Sequence, residues 1–201
     1  MTVTKTEAVT KTRYKVYIDG QFAFVLYKGE LSRYHVKEGA ELSEGTYEKI
    51  RGEVLVKRAK LRAMHLLNAM GRTEAQLREK LKQGGYPEDI IDEAVAYVKS
   101  FGYVDDVNYA RNFIEGRKEK KSKREIQMLL KGKGISDGDV ERAMEECYAK
   151  EDSLQAIRKL AEKRHYVPEE ASYEERQKLM AYLMRKGFSY DDVCSVVHGS
   201  R

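Results

Sequence analysis

Tryptophan is missing from this chain, and proline and cysteine occur only twice each. Pro87 and Pro168 leave long stretches free of the residue that most strongly interrupts a helix, so a helix-rich fold is expected. Cys147 and Cys194 lie far apart, which argues against a disulfide framework and fits reduced thiols in a cytosolic protein. His35, His65, His165 and His198 are scattered without metal-ligand spacing, so neither a metal site nor a cofactor is expected. No apolar run is long enough to cross a bilayer, and the mean hydropathy is -0.68. No stretch has the charged start and apolar centre of a signal peptide. These absences predict a cytoplasmic protein with no membrane contact.

The parts of an enzyme are missing as well. Gly84-Gly85 lies between helical patterns with no strand before it, so it is not a phosphate-cradling loop. Carboxylates are many, but they fall at helix starts and on exposed faces, where capping and the helix dipole account for them. No Ser/His/Asp or Cys/His grouping emerges from order or spacing. No catalytic residue is assigned.

What the chain does have is charge: 38 Lys/Arg against 33 Asp/Glu, 35% of all residues and a net +5. Its placement matters more than its size. Residues 57–82 hold eight Lys/Arg against two Glu, and residues 111–133 hold nine against three, a net +6 in each stretch. The carboxylates gather elsewhere, at Glu88, Asp89, Asp92 and Glu93 and again at Asp137, Asp139, Glu141, Glu145 and Glu146. Each unit therefore begins basic and ends acidic, a pattern that suits a large anionic partner or a solvated mixed-charge face.

The amino-terminal residues 1–12 are Thr/Lys-rich and expected to fray. Arg13 to Ile18 and Gln21 to Leu26 read as strands joined by Asp19-Gly20, the pair that favours a two-residue type I′ turn. A lone hairpin is marginal in water, so it needs helices, a partner strand, or a third strand from residues 1–10. Leu31 to Val36 reads as a short helix. From Ser43 to about Met70 the spacing is helical, with a bend expected near Gly52.

A repeat follows. Aligned on glycine, Leu77/Ile126/Leu179, Leu81/Leu130/Leu183, Gly85/Gly134/Gly187, Tyr86/Ile135/Phe188, Ile91/Val140/Val193 and Val95/Met144/Val197 coincide. Capping-box patterns precede each copy at Thr73–Gln76, Ser122–Glu125 and Ser172–Glu175. The last sits further upstream, so its helix should begin about one turn earlier. Another helix precedes each pair, giving three units of three helices that are too small to stand alone and bury shared faces by stacking. Phe101-Gly102-Tyr103-Val104-Asp105 joins the first unit to the second, with Phe101, Tyr103 and Val104 expected to be buried there. The expected architecture is mainly α: three tandem three-helix, helix-turn-helix-like repeats in an elongated array after a small β-hairpin. The boundaries fall at residues 1–42, 43–104, 105–150 and 151–201.

The basic clusters are the candidate sites: Arg72, Arg78 and Lys82 in the first unit, and Arg111, Arg117, Lys118, Lys120, Lys121, Lys123, Arg124, Lys131 and Lys133 in the second. Such segments draw anions towards helix starts, but nothing in the spacing aims a side chain at a base edge.

The run from Arg72 to Leu81, then Gly85-Tyr86, Ile90-Ile91, and Phe101-Gly102-Tyr103-Val104-Asp105-Asp106 with Tyr109-Ala110-Arg111, resembles the RecX family of recombinase regulators. Lys131-Gly132-Lys133-Gly134-Ile135 and Arg185-Lys186-Gly187-Phe188 fit the same layout, and the likeness covers about residues 57–197. The hairpin is similar to an amino-terminal extension of some members. The third copy departs most, with Met184 where the others carry Lys82 and Lys131. The resemblance implies a monomeric, non-catalytic regulator of recombination, DNA repair and the SOS response. Such a protein binds the RecA filament on single-stranded DNA, lies in its groove, and blocks ATP hydrolysis and strand exchange or stops filament growth. A stand-alone binder of single- or double-stranded DNA through the same clusters is the alternative.

Overall fold

The computed structural model of the chain describes residues 1–198. It divides into two compact units, Met1–Val104 and Asp105–Arg201.

The first unit opens with three antiparallel strands, β1 (Val3–Ala8), β2 (Arg13–Ile18) and β3 (Gln21–Tyr27), in that order. Asp19 and Gly20 take φ of 48° and 83°, both positive as a type I′ turn requires. The β2–β3 register slips between Val16 and Tyr17, leaving Ala23 as an extra residue. Of the three ways to complete the hairpin, a third strand from residues 1–10 is the one observed, so residues expected to fray form the first strand of a sheet. Val3 explains the difference. It is fully buried, its N–H donates to the Ala40 carbonyl at 2.9 Å, and its carbonyl accepts from Gly39 N at 2.8 Å.

Helix α1 spans Lys28–Arg33, three residues earlier than the expected start at Leu31. Glu30 moves it: its carboxylate accepts from Tyr27 N at 2.7 Å and from the Arg58 guanidinium at 2.9 and 3.1 Å. Helix α2 (Glu44–Lys49) is capped by Ser43 and runs through a widened π turn, Ile50–Val56, into α3 (Lys57–Ala69). Near Gly52, where a bend is expected, the structure has this π turn. Then come α4 (Glu74–Gln83) and α5 (Glu88–Ser100), with the Thr73–Gln76 capping box formed. Sheet and helices share one core. Phe24, Leu26, Leu55, Leu77, Leu81, Ile90 and Ile91 are completely buried in it, and each such side chain contributes about 1.5–3 kcal/mol.

The turn after α5 corrects one expectation. Val104 is buried, but Phe101 and Tyr103 are 57% and 58% exposed. Their rings stack on each other at 5.8 Å, and Tyr97 meets Phe101 edge-on at 5.0 Å. Gly102 ends the helix by turning the next residue outward, so only the aliphatic member of the trio reaches the core.

The second unit holds α6 (Asp106–Glu115), α7 (Lys123–Lys131) and α8 (Asp137–Cys147), then α9 (Lys150–Glu162), α10 (Tyr173–Arg185) and α11 (Tyr190–Val197). Each triplet has its own core. Ile126, Leu130, Val140 and Met144 line one, and Leu179, Leu183, Val193 and Val197 the other, as the periodicity predicts. Helix α10 is 13 residues long against ten for α4 and nine for α7, and the extra turn lies at its start as expected. The Ser122 box is only half formed. Ser122 Oγ accepts from Glu125 N at 3.1 Å, but the Glu125 carboxylate turns to Lys121 instead of the Ser122 backbone.

Candidate functional site

Ion pairs sort the twelve cations that the sequence singles out. Arg78 binds Asp92 at 2.6 Å and Glu74 at 2.9 Å, Arg111 binds Glu146 at 2.6 Å, Lys118 binds Glu115 at 2.9 Å, and Lys131 binds Asp137 at 2.9 Å. Lys121 pairs with Glu125. Hydrogen bonds to these carboxylates raise the pKa of Arg78, Arg111, Lys118 and Lys131 above their ordinary values, so the four stay charged but engaged. Three more serve packing. Arg72 Nε donates to the Leu66 carbonyl at 3.3 Å, Arg117 lies 3.7 Å over the Phe113 ring, and Lys133 lies 5.4 Å over the same ring. The remaining four, Lys82, Lys120, Lys123 and Arg124, are exposed and make no ion pair among the described residues.

Three of these four belong to the second unit, around the start of α7. Lys123, Arg124 and Gln127 form one wall of a groove of about 460 Å³. Tyr148 and Lys150, before and at the start of α9, form another, and Ser189, the cap of α11, and Asp192 in its first turn close it. The walls meet because the third three-helix module seats on the second: Ser122 Oγ donates to the Lys186 carbonyl at 2.7 Å. Tyr148 is fixed in its own wall. Its hydroxyl donates to the Lys121 carbonyl at 3.2 Å, and burial pushes its pKa up to about 12. Ser153 donates to Asp192 at 2.8 Å and so engages the carboxylate on that wall. Lys120 lines a separate cleft of about 420 Å³ with Lys159 and Lys163.

Lys150 is a cation that the spacing does not single out. It sits in an acidic local stretch and joins Lys123 and Arg124 only through the tertiary seat at Ser122. Repeat alignment offers no signal for it.

The third helix of every module is acidic. Helix α5 carries Glu88, Asp89, Asp92 and Glu93 against Lys99, and α8 carries five carboxylates against Arg142. Helix α11 has Asp191 and Asp192 and no cation. In a DNA-reading helix-turn-helix that helix enters the major groove, where carboxylates would face phosphates. The modules share the topology but lack the charge for that use.

Fold and surface together define a repeat protein of three-helix modules carrying an amino-terminal antiparallel sheet. Models described as the first, second and third three-helix domains of RecX match residues 59–97, 105–144 and 150–197. The chain belongs to the RecX family. The regulatory protein RecX of Caldanaerobacter subterraneus subsp. tengcongensis is 33% identical over 90% of each chain. That of Leuconostoc mesenteroides is 31% identical over 89% of this chain and 68% of the relative. A crystal structure of a regulatory protein RecX superposes with a TM-score of 0.66, at 27% identity over 98% of both chains. RecX from Lactobacillus salivarius gives 0.61, at 25% identity over 71% of this chain and 94% of that one. No helix among the described residues is long and apolar enough to cross a membrane.

Proposed function

We propose that this chain is a monomeric, non-catalytic cytoplasmic regulator that binds the RecA filament on single-stranded DNA and restrains its ATPase and strand exchange. The observation that carries this is the match of all three modules, in order, to the three RecX helical domains. Family membership supplies the regulatory role. The surface supplies candidate contacts in Lys120, Lys123 and Arg124, whose charges no carboxylate of the described chain neutralises. The competing reading, a stand-alone nucleic-acid binder, is weakened by the acidic third helices.

Titration of the chain against the ATPase of RecA from the same cell is the test. The proposal expects inhibition at concentrations where binding to free single-stranded DNA is slight. Lys120→Glu, Lys123→Glu and Arg124→Glu together should raise the half-inhibitory concentration roughly tenfold or more, since each reversal replaces an attraction by a repulsion. Helical circular dichroism should not change. An ATPase indifferent to the chain refutes the function, and a triple variant that inhibits as well as the parent removes this cluster from it. A plain DNA binder would instead hold free DNA tightly and lose it steeply with salt.

A further inference from the structure

The Lys123–Arg124–Lys150 groove sits in a nearly neutral setting. Residues from Asp105 on carry 20 Lys/Arg against 19 Asp/Glu, while those through Val104 carry 18 against 14. The second unit therefore has little long-range field with which to steer a polyanion. Its positive potential is local, made by three exposed side chains with no ion pair among the described residues. The groove also stops abruptly. Past Tyr148 the adjoining cleft is lined by Glu115, Glu145, Glu146 and Asp152 with Lys118, four carboxylates against one ammonium, and at the other end Asp192 of α11, held by Ser153, closes the groove. A nucleic-acid backbone, charged at every nucleotide, would leave the cations only to run along carboxylates. A short acidic peptide places two or three carboxylates among the cations and ends there. The lining suits it: the Tyr148 hydroxyl is already committed to Lys121, so its ring offers a flat apolar wall, and Gln127 offers an amide to a peptide backbone.

We infer that this groove docks a short acidic segment of a protein partner, with Lys123, Arg124 and Lys150 binding its carboxylates. This deepens the preceding proposal and rests on it for the choice of face.

The test uses the full ¹⁵N-labelled chain, titrated separately with a blocked Asp/Glu-rich nonapeptide and with a nine-nucleotide oligo-dT at one ionic strength. The peptide is expected to shift the amides of Lys123, Arg124, Gln127, Lys150 and Ser189. Arg124→Glu with Lys150→Glu should weaken peptide binding roughly tenfold, the equivalent of about 1.4 kcal/mol, at unchanged helicity. Tighter binding of oligo-dT at the same amides overturns the inference in favour of nucleic acid. The absence of any shift with the peptide overturns it outright. Its failure is separable from that of the regulatory function: missing shifts in a chain that still restrains the RecA ATPase sink the groove alone.

Discussion

The turn between the second and third helices of a module is seated differently in the two units. In the first, the carbonyl of Gly84 accepts from the Arg13 guanidinium at 2.7 Å, and Gly85 packs directly against Val25 of β3. In the second unit, the carbonyl of Lys186 accepts from Ser122 at 2.7 Å, and Gly187 packs against Ser122 and Arg124. The same carbonyl, one residue before the left-handed glycine, is gripped in both. The grip comes from a strand in one case and from the preceding module in the other. The sheet thus occupies the place of a preceding module and covers the turn that a repeat protein would leave open at its amino-terminal end. What differs is compliance. Val25 is a buried β-branched side chain, whereas the neighbours of Gly187 are the Ser122 hydroxyl and the side chain of the exposed Arg124, which has rotamers to yield into.

One methyl group added at each seat separates the two. Gly85 has φ of 82°, and a Cβ there would stand 2.5 Å from Val25 Cγ2. Gly187 has φ of 86°, and its Cβ would stand 3.1 Å from Ser122 Oγ and 3.3 Å from Arg124 Cβ. Both alanines carry backbone strain of about 1–3 kcal/mol, and only Gly85→Ala adds a core clash worth about another 1–3 kcal/mol. Urea denaturation should therefore show Gly85→Ala as the more damaging, by about 1–3 kcal/mol. Equal losses would mean that the two seats are equally rigid.

The second contrast concerns one serine position in two states. Ser122 gives its hydroxyl proton to Lys186, while Ser172, at the start of α10, gives it to its own Glu175 at 2.8 Å. Ser122→Ala loses a helix cap and strands a carbonyl between modules, at about 1–3 kcal/mol. Ser172→Ala loses an exposed cap, at about 0.5–1 kcal/mol. A thermal melt in which Ser172→Ala costs as much as Ser122→Ala would show that the inter-module bond adds nothing.

These contrasts mark where sequence reasoning succeeded and where it stopped. Asp19-Gly20, the Thr73 and Ser172 boxes and the aligned apolar positions were legible because each signal is local, spanning one turn or one helical face. Strand β1 was legible only as one of several ways to complete the hairpin, because Val3 alone turns inward and its bonds go to Gly39 and Ala40. The end of α9 carries no glycine signal: His165, at φ 55°, stands where other helices use glycine. Which cations are free was least legible of all. Arg111 finds Glu146 across 35 residues, and Lys123 and Arg124 meet Lys150 only when two modules seat. Spacing located the clusters of charge; neutralisation within them is a tertiary property.

A weaker effect probes Tyr148, in the wall of the groove, through pH. Tyr148 is held at a pKa of about 12 against an ordinary 10.0, chiefly because burial penalises the phenolate. The folded pKa lies above the unfolded one, so the folded chain holds this proton more tightly. The resulting stability is fully present below pH 10 and is lost as pH rises towards 12. Tyr148→Phe cannot ionise and keeps the ring. At pH 8 it should cost only the hydrogen bond to Lys121, about 0.5–1.5 kcal/mol, and between pH 10 and 12 its stability should fall less steeply than the parent's. If melts across that window give parallel curves for the two proteins, Tyr148 is not buried against the seat. The Ser122–Lys186 contact would then have to hold the two modules without it.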